Sequence, residues 1–161
     1  MIIRPATLAD SEAILAIYEA GRAYMRAHGN AQQWTNGYPA PDLVREDIVG
    51  GHSFVCEEDG EPVGVFCYFD GPDPTYNYIE GAWQNDAPYG VLHRIAVTSH
   101  RRGVASACYD FCLARCGNLK VDTHADNLPM QRSLQKNGFL PCGTIYLANG
   151  DPRLAFQKTI P

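Results

Sequence analysis

The stretch from Gly90 to His124 constrains this chain more than any other. The run GVLHRIAV, ending at Val97, reads as a buried strand. A short basic loop containing Gly103 follows, then an apolar-striped helix from Arg102 to Cys116, then a second strand over Leu119–His124. Two strands separated by a helix call for a parallel crossover, which is right-handed in nearly every known sheet. Whatever else the chain builds must therefore attach to a parallel pair with a helix on one of its faces.

The flanks supply antiparallel elements. IIRPATL reads as a short strand, and Thr7 can cap a helix whose first turn carries Asp10 and Glu12. That helix continues through Ile14, Leu15, Ile17 and Tyr18 to Gly29-Asn30 and is followed by a Gly/Pro loop, QQWTNGYPAP, and a short helix from Asp42 to about Val49. SFVCEE and PVGVFCYF, joined through Asp59-Gly60, form a hairpin signal. After the crossover, Asn127–Asn137 is helical, Phe139–Leu147 is a strand, and the turn Asn149-Gly150-Asp151 leads into a last strand, Leu154–Thr159. The order is β-α-α-β-β-β-α-β-α-β-β, a mixed α/β (α+β) sheet covered by helices on both faces.

Composition narrows the function classes. The 161 residues suit one domain over 1–161, and 45% hydrophobic against 19% charged residues excludes disorder. A formal charge of -5 with no basic run argues against nucleic acid as the main partner. No apolar run reaches the roughly 20 residues a membrane span needs, and no secretory signal opens the chain, so a cytoplasmic location is expected. The six cysteines include no CxxC pair and no His partner at zinc spacing, so no metal is expected and the thiols read as small buried hydrophobes.

The chemistry concentrates at the strand-to-helix handover. Gly103 lets backbone approach a ligand closely, and the first amides of the following helix lack intrahelical acceptors. With Arg101 and Arg102 beside them, these amides suit a phosphate or diphosphate. Asn127, at the start of the next helix, reads alone as a cap.

Together these segments resemble the GNAT superfamily of N-acetyltransferases. The family's coenzyme loop matches His100-Arg101-Arg102-Gly103-Val104-Ala105, with His100 where Arg or Gln is usual and a loop about two residues short. Its later signature matches Asn127 through Lys136-Asn137-Gly138-Phe139, while IRPATLAD and EEDGEPVGVF resemble its first strand and its early hairpin. The resemblance covers nearly the whole chain. It implies a GNAT fold, a mostly antiparallel sheet of six or seven strands with about four helices. It also implies acetyl-CoA as co-substrate, bound by Ile95, Val97, His100, Arg101, Arg102, Gly103, Val104, Ala105, Ser106 and Asn127. The acceptor is expected to be a primary amine of a small molecule, amino acid or peptide, acetylated directly in a ternary complex. A homodimer is compatible with the family. The alternative is a non-catalytic acetyl-CoA sensor.

The catalytic candidates follow from what acetyl transfer needs. His93 is the first choice as base: strict alternation puts it on one face with Val91, Ile95 and Val97, and an ordinary imidazole titrates near pH 6.5, at about 6.5 in peptides. Glu80 is the second. Many members carry a tyrosine as general acid where this chain has Leu134, so Tyr146 or water is expected to substitute. Trp34, Tyr38 and Trp83, with Tyr89 beside them, are the expected acceptor-site aromatics, and Trp34, Trp83 and Glu80 converging would suit a cationic amine. Asp122 and His124 read as cap or ion-pair residues. Thiol catalysis through Cys108 or Cys112 is disfavoured because both lie on a helix stripe.

Overall fold

A computed structural model describes residues 1–98 and 102–161. The expected loop residues His100 and Arg101 lie outside the described residues. The elements are β1 (Ile2–Pro5), α1 (Ser11–Ala27), α2 (Pro41–Val49), β2 (Ser53–Glu58), β3 (Glu61–Asp70), β4 (Glu80–Gly81), β5 (Gly90–Val97), α3 (Val104–Cys116), β6 (Asn118–Thr123), α4 (Leu128–Lys136), β7 (Leu140–Tyr146) and β8 (Pro152–Thr159). They form one eight-stranded sheet in the order β1-β2-β3-β5-β6-β8-β7-β4. Only β5 and β6 run parallel, joined by α3 as the crossover requires; the other pairings are antiparallel.

Local chemistry explains most boundaries. The β2–β3 hairpin turns on two residues, Asp59 at φ 51° and Gly60 at φ 78°, with Glu58 opposite Glu61. Positive φ at both central positions is what a tight twisted hairpin needs. Helix α3 begins at Val104 rather than at Arg102, because Gly103 adopts φ 80° and caps it. Asn127 stands just outside α4, where its side-chain oxygen accepts from the Met130 amide at 3.1 Å. The sheet holds one strand more than expected. The added strand is β4, two residues that alternation cannot reveal. It pairs Gly81 with Gly143 so closely that a Cβ on Gly81 would stand 2.3 Å from the Cys142 carbonyl oxygen.

Two apolar layers cover the sheet. Tyr109, Cys108, Cys112 and Leu113 of α3 and Leu134 of α4 pack with Phe66, Leu92, Leu119 and Phe156. Ile14, Ile17 and Tyr18 of α1 with Val44 and Ile48 of α2 pack on Val55, Val65 and Ala96. A third cluster joins Tyr76, Val91, Ile145 and Ala155. All six cysteines are free; Cys56, Cys67, Cys108 and Cys112 are buried, as small apolar residues would be.

Candidate acetyl-transfer site

The site exists because the parallel pair comes apart. β5 and β6 are paired only at Gly90–Leu119 and Val91–Lys120. Beyond that point the strands diverge, and two adjoining cavities open between them. One, of about 420 Å³, is lined by Leu92, His93, Arg94 and Ile95 on one side and by Val121, Asp122, Thr123 and Arg153 on the other, under Gln33, Trp34 and Tyr38. The second, of about 230 Å³, runs along Ile95, Ala96, Val97 and Thr98 toward Ala105 and is closed by Pro129, Met130 and Ser133. Met25, Trp34, Ile95, Asn127 and Met130 line both.

A bulge in β5 shapes this junction. Cys67 of β3 faces His93 and Val65 faces Ala96, so the single residue Phe66 opposes both Arg94 and Ile95. Arg94 takes up the extra residue at φ 52°, a conformation that costs a non-glycine residue of order 1–3 kcal/mol unless its surroundings impose it. Here they do. Its guanidinium donates to both Asp47 oxygens at 2.9 and 2.8 Å and to the Tyr38 hydroxyl at 3.1 Å. Its carbonyl accepts from the Tyr18 hydroxyl at 3.0 Å. The bulge inverts side-chain parity. Leu92 belongs to the α3 layer before it, whereas Ile95 and Val97 pack on that layer after it and Ala96 turns to the α1 layer. His93 therefore does not share a face with Ile95 and Val97, contrary to simple alternation.

His93 itself lines the larger cavity, and its Nε2 lies 3.0 Å from Asp73 Oδ2. The hydrogen bond to His93 holds the Asp73 carboxyl below the usual carboxylate range, and the Thr75 amide adds to the effect. Asp122, read from sequence as a cap or ion-pair residue, lines the same cavity and accepts from the buried Tyr76 hydroxyl at 2.6 Å. The amide of Asp126 donates to His124 Nδ1 at 2.9 Å, so that imidazole serves the turn before α4.

Among the expected acceptor aromatics the structure divides the set. Trp34 lines both cavities, held edge-on against Tyr18 with centroids 5.6 Å apart, and Tyr38 lines the larger one. Trp83 and Tyr89 line neither. Their rings enclose the buried Lys120 ammonium at 4.1 and 3.8 Å, and burial pushes that lysine below its ordinary pKa. Glu80 and Tyr146 also lie away from both cavities: Glu80 stands exposed on β4, hydrogen-bonded to Tyr146 on β7, which raises the tyrosine pKa. The expected convergence of Trp34, Trp83 and Glu80 does not occur, because Glu80 sits in β4 at the sheet edge while the Trp83 ring turns back over Lys120 of β6 and packs beside Tyr76 and Tyr89.

The expected coenzyme residues fall along the smaller cavity. Ile95, Val97, Ala105 and Asn127 line it. Gly103 lies two residues before Ala105, and an added Cβ there would meet none of the described residues within 4 Å. Arg102 is exposed, Ser106 is half-buried, and the Val104 side chain is buried in the core, leaving only its backbone for a ligand. Mostly apolar walls with one strand edge and the hydroxyl-bearing residues Tyr24, Thr98 and Ser133 suit a pantetheine arm. The Ser133 hydroxyl lies 2.9 Å from the buried Tyr109 hydroxyl, whose pKa burial pushes up to about 12. Leu134, at the family's tyrosine position, is fully buried. Among the described residues, no group of three His, Cys, Asp or Glu side chains is placed to hold a metal ion.

The profile of the Acetyltransferase (GNAT) family matches residues 16–139. The chain belongs to this family. A GNAT-family acetyltransferase from Streptococcus agalactiae superposes with a TM-score of 0.91 at 32% identity, covering 99% of this chain and 95% of that one. A ribosomal-protein-alanine N-acetyltransferase from Brucella melitensis shares the fold at TM-score 0.60 and 22% identity, covering 99% and 100%. So does a chain of the NatC complex bound to Gag peptide and CoA, at TM-score 0.63 and 12% identity, covering 99% and 98%. No curated protein sequence matches the chain significantly. This GNAT domain is thus an acetyl-transfer fold, and GNAT enzymes draw on acetyl-CoA. Sequence reasoning missed four of its cavity residues: Gln33, Arg94, Asp122 and Arg153. Each is an ordinary polar position until the fold turns it inward.

Proposed function

We propose that this GNAT domain is an acetyl-CoA-dependent N-acetyltransferase that moves the acetyl group directly onto a primary amine in a ternary complex. The observation that carries this reading is the meeting of the two cavities at Ile95, one apolar and strand-lined, the other polar and aromatic. A thioester seated in the smaller cavity and an amine in the larger would approach each other there. Among the described residues no cysteine lines either cavity, which speaks against a covalent acyl-cysteine route.

The coenzyme supplies the activated acetyl group; the chain supplies position, charge and proton transfer. The open amides at the start of α3 beyond Gly103, with Arg102 and the basic residues His100 and Arg101 of the same loop, are the seat for the diphosphate. The β6-facing edge of β5, from Leu92 to Val97, has no strand partner past Val91 and offers main-chain groups to the pantetheine arm. An aligned amide there would also stabilise a developing oxyanion, a contact worth about 3 kcal/mol in comparable sites. Holding both substrates at Ile95 supplies a further large part of the acceleration.

The amine must lose a proton before it attacks. His93 lies on the acceptor side, and Asp73 on its Nε2 fixes the ring and stabilises the imidazolium that forms. A placed base contributes about 10²–10⁴-fold. Glu80 and Tyr146 line neither cavity, so the departing sulfur is left to water or to Ser133. The test is thiol release from acetyl-CoA across amino acids, polyamines, aminoglycosides and peptide N-termini. At least one amine should be acetylated, and His93→Ala should lower kcat/KM more at pH 7 than at pH 9, where free amine is more abundant. Acetyl-CoA binding with no thiol release on any amine would favour the sensor reading. An equal loss at both pH values would remove His93 as the base.

A further inference from the structure

The larger cavity holds a cation that no carboxylate among the described residues answers. Arg153, on β8, is a cavity-lining residue with only 6% of its surface exposed. Its one hydrogen bond to protein goes from Nη1 to the neighbouring Pro152 carbonyl, at 2.9 Å. Among the described residues no carboxylate lies within 4.0 Å of its guanidinium, although two carboxylates line the same cavity. Asp122 is engaged by the Tyr76 hydroxyl at 2.6 Å and Asp151 by the Asn149 amide at 3.2 Å. The other arginine of this cavity, the half-buried Arg94, contrasts with it, being paired with Asp47 through two hydrogen bonds.

The guanidinium nitrogens that bond nothing are not sealed off; they open onto the cavity, where a cation stripped of most of its water and without a counter-ion is suited to an anionic group. Cross-strand pairing gives its direction: Arg153 faces Ile145, and Asp122 faces Ala155, which puts both on one face of the sheet. The polar floor of the cavity thus carries an unanswered cation on β8 and, on β6 and β5, the groups suited to an ammonium, Asp122 and His93. We infer that Arg153 is the anchor for a carboxylate on the acceptor, so that the substrate is a small amine carrying a carboxylate, of the amino-acid kind. This rests on the N-acetyltransferase reading and specifies its acceptor. The planar fork of arginine matches a carboxylate through two parallel hydrogen bonds, and a charge-assisted pair of this sort discriminates by about 10–100-fold.

The experiment is calorimetric titration of the CoA-loaded protein with free amino acids and, in parallel, their methyl esters, with thiol release measured on the same pairs. The wild type should bind the best acid at least tenfold more tightly than its ester. Arg153→Met should bring the two within about twofold of each other, Arg153→Lys should lie between, and acetyl-CoA affinity should be unchanged. Thermal stability of Arg153→Met should be equal to or above that of the wild type, since an unpaired buried charge is removed; a structural arginine would give a loss. Equal affinity for acid and ester in the wild type, absence of binding by every acid, or discrimination surviving in Arg153→Met would each overturn the assignment. Should Arg153→Met fail to fold, the wild-type acid/ester ratio still decides. Acids that bind through Arg153 yet release no thiol would sink the transferase reading and leave the anion site standing. Turnover of acids and esters alike would do the reverse.

Discussion

The start of α3 allows a charge to be placed beside the proposed diphosphate seat with little else changed. Gly103 sits at φ 80°, ψ -2°, and an added Cβ would touch no atom of the described residues within 4 Å. Any L-residue there pays for the left-handed conformation, about 1–2 kcal/mol, and nothing for collision. For a chain of this length that corresponds to a drop in Tm of roughly 2–8 °C. Gly103→Gln and Gly103→Glu carry this same backbone cost and nearly the same bulk. Their difference isolates one negative charge beside the helix N-terminus. At about 6 Å from a diphosphate of charge near -2, Coulomb's law gives about 1.4 kcal/mol at a dielectric of about 80 and about 2.8 kcal/mol at about 40. Glu should therefore bind acetyl-CoA about 10–100-fold more weakly than Gln, with the gap narrowing as salt rises. Calorimetric Kd values at low and high salt are the assay. Equal affinities for Gln and Glu at low salt would show that the diphosphate lies elsewhere, and the strand-to-helix seat would have to be abandoned.

Two further perturbations address the frame around the site. Asp47→Ala leaves Arg94 as an uncompensated buried cation beneath the bulge and should cost about 3–5 kcal/mol in chemical denaturation. Adding Arg94→Met should recover much of that loss, and a single-variant cost below about 1 kcal/mol would contradict the pairing. At the first strand, the Arg4 guanidinium depresses the Asp10 carboxyl from its ordinary 3.8 to about 2. A depressed carboxylate contributes stability that is present above its unfolded value and is lost as pH falls. Unfolding free energy should therefore decline by roughly 2 kcal/mol as pH drops from about 5 to about 2. Arg4→Met should flatten that decline, and a profile unchanged by Arg4→Met would show that the pair does not matter to folding.

Features set by neighbouring residues were legible in the chain. Gly103 and Asn127 announce helix starts because a positive φ and a side-chain cap are local demands, and Asp59-Gly60 announces its turn for the same reason. The crossover was legible because a strand, a helix and a strand in series have one favoured handedness. What escaped was set by pairing across long separations. The bulge at Arg94 arises from the register of β5 on β3, so alternation along β5 placed His93 with Ile95 and Val97. Glu80 looked like a site residue until the pairing of Gly81 with Gly143 carried it to the sheet edge, and Trp83 until its ring closed over Lys120. Arg153 fell just outside the expected last strand, Leu154–Thr159, and its lack of a partner is a property of the surrounding fold.

The bulge also bears on how one strand could serve two substrates. A regular β5 would send His93, Ile95 and Val97 to the same side, and a base there would compete with the acyl donor for space. With an extra residue at Arg94, His93 points toward the acceptor half while Ile95 and Val97 pack toward α3. The strain of Arg94 is thus coupled to the division of the cleft. The residues that hold it, Asp47, Tyr38 and Tyr18, come from α2, the 28–40 loop and α1, so the elements roofing the acceptor half also fix the backbone at which the halves meet. A change in that roof should therefore reach the chemistry through the backbone of Arg94, and its signature would be a fall in kcat larger than the rise in KM.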